Sequence, residues 1–365
     1  MAKLGDYVKI RTGKLDANAS SENGQYPFFT CAVEPLKIDN YSYDCECVLV
    51  AGNGDLNVKY FNGKFDAYQR TYIIESLNDR VLYVPYLYYF LDKYVETLRH
   101  LSIGGVIKYI KLGNLTDASI PIIGIEQQTE IVKNLKKVDE LIPLRKQQLT
   151  KLDELVKARF VEMFGDAKLN PYDFPCNSLS EYILFLTSGS RGWSQYFTDN
   201  GEYFITIKNV KNCRITLQDV QYVIPPDNAE AKRTKVQEND LLISITADLG
   251  RTGVVPKEIA KHGAYINQHL TCIRLNLEKV NPIYVAYYME SDAGKEQFAS
   301  KNQSAVKAGL NFNAINSLKL IVPPLSLQND FAAFVERVDQ QKQTVQQSLE
   351  KLEVMKKALM QEYFG

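Results

Sequence analysis

Residues 110–165 and 310–365 match without a gap at an offset of 200, so whatever this chain folds into must contain the same structural unit twice. Identical pairs include Gln128/Gln328, Val138/Val338, Asp139/Asp339, Gln147/Gln347, Leu149/Leu349, Leu152/Leu352 and Phe164/Phe364. The blocks close alike, Glu-Met-Phe-Gly at 162–165 and Glu-Tyr-Phe-Gly at 362–365. Weaker echoes lie upstream at shifting offsets, which implies loop insertions. Leu4-Gly5-Asp6-Tyr7-Val8 is echoed by Leu179-Ser180-Glu181-Tyr182-Ile183, and Val48-Leu49-Val50 by Leu241-Leu242-Ile243. Tyr68-Gln69-Arg70-Thr71 likewise answers Asn267-Gln268-His269-Leu270, and Tyr88-Tyr89 answers Tyr287-Tyr288. The order is domain, helix, domain, helix.

Each repeated block has a heptad seam. Ile131, Leu135, Val138, Ile142, Leu149, Leu152 and Val156 alternate steps of four and three, with Arg145 as the polar intruder. Phe331, Val335, Val338, Val345, Leu349 and Leu352 do the same, with Lys342 as the intruder. Such seams pack helices side by side. Duplicated and separated by a domain, they predict an intramolecular antiparallel coiled-coil pair, each helix roughly 55 Å long. Gly165 and Gly365 are the expected stops. Pro143 should kink or break the first helix, because proline removes a backbone donor and clashes with the preceding turn; Gln343 is its counterpart.

The fold class expected is therefore α+β: two mixed α/β domains separated by two long antiparallel helices, with pseudo-two-fold duplication. The boundaries read as a first domain over 1–122, a helix over 123–165, a linker over 166–178, a second domain over 179–322 and a helix over 323–365. Candidate strands are 47–51, 59–61 and 71–75 in the first domain, and 241–245, 253–255 and 270–275 in the second. Tyrosines beside Pro85 and Pro282 suggest short helices in which Tyr86, Tyr88 and Tyr89 act as core or interface filler.

The loops combine glycine with polar and basic residues: Arg11-Thr12-Gly13-Lys14, Gly52-Asn53-Gly54-Asp55, Ser188-Gly189-Ser190-Arg191-Gly192-Trp193 and Asp248-Leu249-Gly250-Arg251. Glycine admits close backbone approach, and Arg, Lys, Asn and Gln are the side chains that reach base edges and phosphates. Their recurrence at similar positions in both domains favours binding over ordinary turns. No methyltransferase Asn/Asp-Pro-Pro-Tyr/Phe motif, P-loop or Ser-His-Asp arrangement is legible, and Pro226-Asp227 with Glu230-Ala231-Lys232 reads as a turn rather than a nuclease site. The six cysteines and three histidines give no zinc spacing, so no metal is expected. An N-terminus without an apolar run and the lack of any span of about 18 apolar residues point to the cytoplasm.

Charge does not identify a ligand by itself. The chain has 43 basic and 43 acidic residues, and residues 1–119 carry 13 against 14 while 167–320 carry 17 against 15. Nucleic-acid affinity would have to come from local patches or from a partner.

Taken together, the duplicated opening motifs, Gln69-Arg70 and Asn267-Gln268-His269, the Val-Pro-Pro-Leu-Ser-Leu-Gln entry at 322–328 and Met-Phe-Gly-Asp at 163–166 resemble the specificity (S) subunits of type I restriction–modification systems. That resemblance implies two target-recognition domains, each reading one half of a split double-stranded DNA sequence. The helices would set the unread spacer and dock two methyltransferase (M) subunits, with a restriction (R) subunit joining the complex. It implies no cofactor and no catalysis in this chain, S-adenosylmethionine belonging to the M subunits. Neutral net charge fits phosphate neutralisation shared with those subunits. The expected DNA contacts are Arg11, Lys14, Asn53, Lys59, Arg70 and Lys108 in the first domain. In the second they are Arg191, Trp193, Lys208, Asn209, Arg251, His269 and Lys307. The expected partner-binding helix positions are Ile131, Leu135, Val138, Leu149, Leu152, Phe331, Val335, Val338, Leu349 and Leu352. The competing reading is a coiled-coil scaffold with two protein-binding domains.

Overall fold

A computed structural model describes residues 1–302 and 309–365. The chain divides into two compact units, Met1–Gln148 with Val345–Gly365, and Leu149–Thr344. Each unit holds one globular domain and a section of each of two long helices, the central helix Ile125–Phe164 and the distal helix Leu325–Phe364. The central helix runs on through Pro143. Of the kink or break expected there, the break does not occur: losing one N–H leaves a single carbonyl, that of Asp139, without its helical donor, and the rest of a 40-residue ladder holds. Both helices close on a left-handed glycine, Gly165 at φ +75 and Gly365 at φ +88, whose N–H groups donate to Val161 and Gln361 carbonyls at 2.8 and 3.0 Å.

In the first unit a six-stranded sheet has the order Val8–Thr12, Thr71–Ser76, Tyr43–Ala51, Val58–Ala67, Tyr26–Phe29, Leu36–Ile38. Its spine is the hairpin of Tyr43–Ala51 and Val58–Ala67, antiparallel from Tyr43↔Phe65 to Val50↔Val58. Val48 to Ala51 are buried in succession because both faces are covered, one by the helix Val84–Leu101 and the other by Phe29, Phe61 and Phe65. That helix is longer than the short one expected, and Tyr86 and Tyr89 are core side chains as the spacing predicts.

The second unit rebuilds the same spine with shorter pieces. Its main sheet runs Ile183–Ser188, Leu270–Leu275, Leu241–Ser244, Thr252–Val254, Cys213–Ile215, Val210–Lys211. A separate four-stranded sheet has the order Phe197–Thr198, Gln221–Val223, Glu202–Ile205, Ala264–Ile266. In both units a two-stranded ribbon closes the base: Ala2–Lys3 with Ser119–Ile120, and Cys176–Ser178 with Lys319–Ile321. The last three residues of the expected linker are therefore strand.

Within each unit the domain is locked to the helices by equivalent residues. Gln128 is fully buried at the start of the central helix; its amide accepts from Tyr83 N at 2.9 Å and donates to Val81 O at 2.7 Å and Ile123 O at 2.8 Å. Gln328 does the same work in the second unit, accepting from Asn281 N at 2.9 Å and donating to Pro323 O at 2.8 Å. The Tyr86 hydroxyl donates to Pro121 O at 2.9 Å, and that of Tyr284 to Ile321 O at 2.7 Å. Phe364 packs on Tyr86 at 5.1 Å between ring centroids, and Phe164 on Tyr284 at 4.7 Å.

The helix sections are antiparallel in each unit. In the first, Asp139 pairs with Lys356 at 2.7 Å and Lys146 with Glu353 at 3.4 Å. In the second, Phe160 meets Phe331 at 5.4 Å, and the seam intruder Lys342 is neutralised by Asp153. Every expected seam residue is buried or half-buried, so the heptad reading describes the interior.

Candidate nucleic-acid interface

Four chain segments converge at one edge of each spine, and the same backbone hydrogen bonds knit them in both units. In the first unit Gly13 N donates to Thr71 O at 3.1 Å, Gln69 N to Leu15 O at 2.9 Å, Tyr68 N to Phe29 O at 2.9 Å and Thr71 N to Tyr68 O at 2.8 Å. The second unit repeats them: Gly189 N to Leu270 O at 3.1 Å, Gln268 N to Ser190 O at 2.9 Å, Asn267 N to Ile205 O at 3.0 Å and Leu270 N to Asn267 O at 3.0 Å. Two further bonds complete the match. Gly52 N to Arg70 O at 2.8 Å parallels Ile245 N to His269 O at 3.0 Å, and Ile110 N to Gly52 O at 2.9 Å parallels Leu310 N to Ile245 O at 2.9 Å. Glycine is required where the first strand passes the turn. A Cβ on Gly13 would lie 2.1 Å from Ala67 O, and one on Gly189 2.1 Å from Asn267 O.

This network brings Lys14, Asn53, Arg70 and Lys108 into one loop cluster. The side chains of Lys14, Arg70 and Lys108 are exposed and make no hydrogen bond or ion pair among the described residues. Three exposed cations on adjoining loops make a local positive patch in a chain with no net charge. Asp55, the acidic neighbour, is matched by Arg99 at 3.5 Å.

Other expected contacts are committed within the domain. Arg11 lies on the sheet face, paired with Glu75 at 2.8 Å and over the Tyr43 ring at 4.8 Å. Lys59 is half-buried and bonded to Asn57; burial pulls its ammonium below the usual lysine pKa.

In the second unit the equivalent cluster is formed by Gly189, Ser190, Thr246, Gln268 and His269. The His269 ring Nδ1 lies 2.7 Å from Thr246 Oγ1, and its Nε2 lies 3.3 Å from Gln268 Nε2, so its half-buried imidazole is held in place. Arg191 is exposed on the adjoining loop, and its backbone N donates to Glu230 at 3.4 Å. Lys208 is exposed on the turn Ile207–Asn209, and Arg251 is ion-paired with Asp248. Trp193 and Asn209 belong to the interior. Trp193 is buried against Phe204 and Tyr265, with its indole N–H donating to Glu230 at 3.0 Å. Asn209 accepts from Thr206 N at 3.0 Å and donates to Thr216 O at 3.1 Å, closing its own turn. Lys307 lies outside the described residues.

Sequence reasoning missed Arg233. The stretch read as a turn is a short helix, Ala229–Thr234, capped by Asn228, whose side chain accepts from Ala231 N at 2.8 Å. From it the exposed Arg233 guanidinium donates to Ser188 O at 2.7 Å, beside Gly189. Asn228 followed by Ala-Glu-Ala-Lys was the available signal.

The ten helix positions expected to meet partners are used internally: Leu135 and Phe331 are fully buried, and the other eight are buried or half-buried. The large apolar side chains the helices leave exposed are Leu141, Leu144, Leu155, Val161, Val354 and Met355. Among the described residues no group of three or more His, Cys, Asp or Glu side chains could hold a metal ion, and no helix is long and apolar enough to cross a membrane.

A spine built twice, with matched loop clusters and each domain locked onto antiparallel helices, defines a duplicated recognition protein. The chain belongs to the type I restriction modification DNA specificity domain family, whose sequence profile matches residues 1–154 and again 189–354. It is 37% identical over 155 residues to the type I restriction enzyme EcoDI specificity subunit of Escherichia coli, a match spanning 42% of this chain and 34% of that relative. The MjaVIII specificity subunit of Methanocaldococcus jannaschii is 19% identical over 99% of this chain and 90% of its own length. In fold, the chain is similar to the crystal structure of a type I restriction–modification S subunit from M. genitalium, with TM-score 0.64, 17% identity, and coverage of 100% of this chain and 95% of that one. A chain from a structural study of type I complex assembly and conformational transition aligns with TM-score 0.59 and 15% identity, over 100% of this chain and 96% of its own.

Proposed function

We propose that this chain is the DNA-specificity subunit of a multi-subunit methyltransferase and restriction complex, reading a bipartite duplex sequence with one half-site per domain. The observation that carries this reading is the repeated hydrogen-bond network, which presents Arg70 and His269 at corresponding places on corresponding loops. Base edges are read by side chains held rigidly by their own backbone, and exposed cations beside them supply phosphate contacts. Lys14, Asn53, Lys108 and Arg70 read or hold the first half-site. Arg191, Lys208, Arg233 and His269 serve the second, with Gln69 and Gln268 adjoining. Arg11, Lys59, Trp193, Asn209 and Arg251 support the loops from behind.

Two methyltransferase subunits dock on the outward helix faces that include Leu141, Leu144, Val354 and Met355, since the seam residues are already packed. A restriction subunit joins through that complex. The chain performs no chemistry; S-adenosylmethionine is bound by the methyltransferase subunits, and the assembly works in the cytoplasm. The domain limits near 122, 165, 178 and 322 mark the segments that would be exchanged to change one half-site.

The test is a modification map. The chain is expressed with its neighbouring methyltransferase subunit in an unmethylated host, and N6-methyladenine is located by single-molecule sequencing. A split motif with an unread spacer, present only with both proteins, is the expected result. A stable complex that leaves the genome unmethylated would favour the scaffold reading.

A further inference from the structure

Between the helix Val84–Leu101 and Ile110 the chain makes a small projecting loop of unusual composition, Ser-Ile-Gly-Gly-Val-Ile-Lys-Tyr over 102–109. Its base is closed by a reciprocal pair of hydrogen bonds, Ile103 N to Tyr109 O at 3.0 Å and Tyr109 N to Ile103 O at 2.9 Å. Gly54 N ties it to the reading cluster by donating to Lys108 O at 2.9 Å, and Asn53 bridges to Tyr109. Gly104, at φ +117, makes the turn; a Cβ there would sit 2.4 Å from Ile107 O. The loop is thus held at its stem while its tip faces solvent. Val106 is fully exposed, Ile107 largely so, and Ile103 and Tyr109 are exposed below them.

Two adjacent β-branched apolar side chains held in water forgo burial that a small rearrangement would ordinarily recover. Here the pinned stem prevents collapse onto the domain. Lys108, exposed and without an ion pair among the described residues, follows Ile107 directly, and the Gly54 N–Lys108 O bond joins the loop to the cluster that carries Lys14 and Arg70. An apolar tip next to a lysine, on a loop bonded to a basic cluster, is complementary to a DNA groove, where phosphates lie at the rims and stacked bases at the floor; wedging apolar side chains between base steps is an established way to bend a duplex.

We propose that Val106 and Ile107 form a wedge that enters the groove of the first half-site and unstacks a base step, so that this half is selected partly by how easily it deforms. This rests on the reading of the chain as a DNA-specificity subunit. Deformable pyrimidine–purine steps would then be favoured at a position that no polar side chain touches.

The experiment uses the full chain in complex with its methyltransferase subunits and duplexes carrying the mapped motif, with 2-aminopurine placed at successive steps of the first half-site and its flanks. The expected result is a fluorescence rise at one step. Substituting Val106→Ser and Ile107→Ser together should abolish that rise and weaken binding about tenfold, leaving the second half-site and complex assembly unchanged. Because both side chains are exposed, the variant folds, which a thermal melt confirms. No rise at any step, or wild-type binding by the variant, overturns the wedge while the mapped split motif still supports the reader. Loss of methyltransferase docking by the variant in the absence of DNA also overturns it, since the tip would then face protein. A map with no split motif overturns the reader and the wedge together.

Discussion

The two domains share a spine and differ in what is built outward from it. In the first, the hairpin Tyr43–Ala51/Val58–Ala67 is long enough for Tyr26–Phe29 to join parallel at Phe29↔Ala67, making one six-stranded sheet. In the second, the corresponding hairpin has three register pairs, Leu241↔Val254 to Ile243↔Thr252, and Glu202–Ile205 instead joins Ala264–Ile266 in a sheet of its own. The bonds that hold the turn at 67–71 and at 266–270 are nevertheless the same. Outer strands are free to change because they carry neither the helix contact nor the crossing glycine. Variation on one side of a fixed frame is what a protein needs if its target is to change while its partners stay the same.

The aromatic locks of the two units differ in what they hold. Phe164 touches Phe160, Tyr284 and Phe331, whereas Phe364 touches Tyr86 and Phe90. Replacement of Phe164 by Ala should cost about 3–5 kcal/mol and Phe364→Ala the lower end of that range; denaturant melts of each variant would decide, and a reversed order would contradict the packing.

Gln128→Leu strands three half-buried backbone groups, Tyr83 N, Val81 O and Ile123 O, and Gln328→Leu strands two, the half-buried Asn281 N and the buried Pro323 O. Losses of about 3 and about 2 kcal/mol are expected by the same measurement. Equal losses would mean the two joints are energetically identical despite their different bond counts.

For DNA, Arg70→Ala should weaken binding by about 1–3 kcal/mol without lowering the melting temperature, since its guanidinium holds nothing within the domain. His269→Ala should lose less affinity and also some stability, because its ring lies against Thr246 and Gln268. Binding titrations at fixed salt paired with melts separate the two effects. The smallest effect is expected at the helix ion pairs. Lys342→Met and Lys356→Met should each cost under about 1 kcal/mol, with a loss that shrinks in high salt.

Much of the frame was legible because it is periodic and duplicated. The offset of 200 located both helices, and the pairing of Gln69-Arg70 with Gln268-His269 pointed to the loop that the hydrogen bonds later matched. The outer sheet of the second domain was not legible: its strands are two to four residues long, too short for alternation to register. Trp193 and Asn209 were misplaced for a different reason. Both sit beside exposed basic residues, Arg191 and Lys208, and only tertiary packing distinguishes a side chain that faces solvent from one that folds under its own turn. The seam residues were placed on the right faces, but a heptad pattern does not say whether its partner is in the same chain.

On the proposed function, each domain reads its own half-site independently. That independence is tested most directly by comparing N6-methyladenine maps for Arg70→Ala and His269→Ala, each expressed with the methyltransferase subunit. The account predicts that each substitution relaxes one half of the split motif, that the halves are opposite, and that spacer length is unchanged. Relaxation of the same half by both, or of both halves by either in a variant that melts like the wild type, would contradict it.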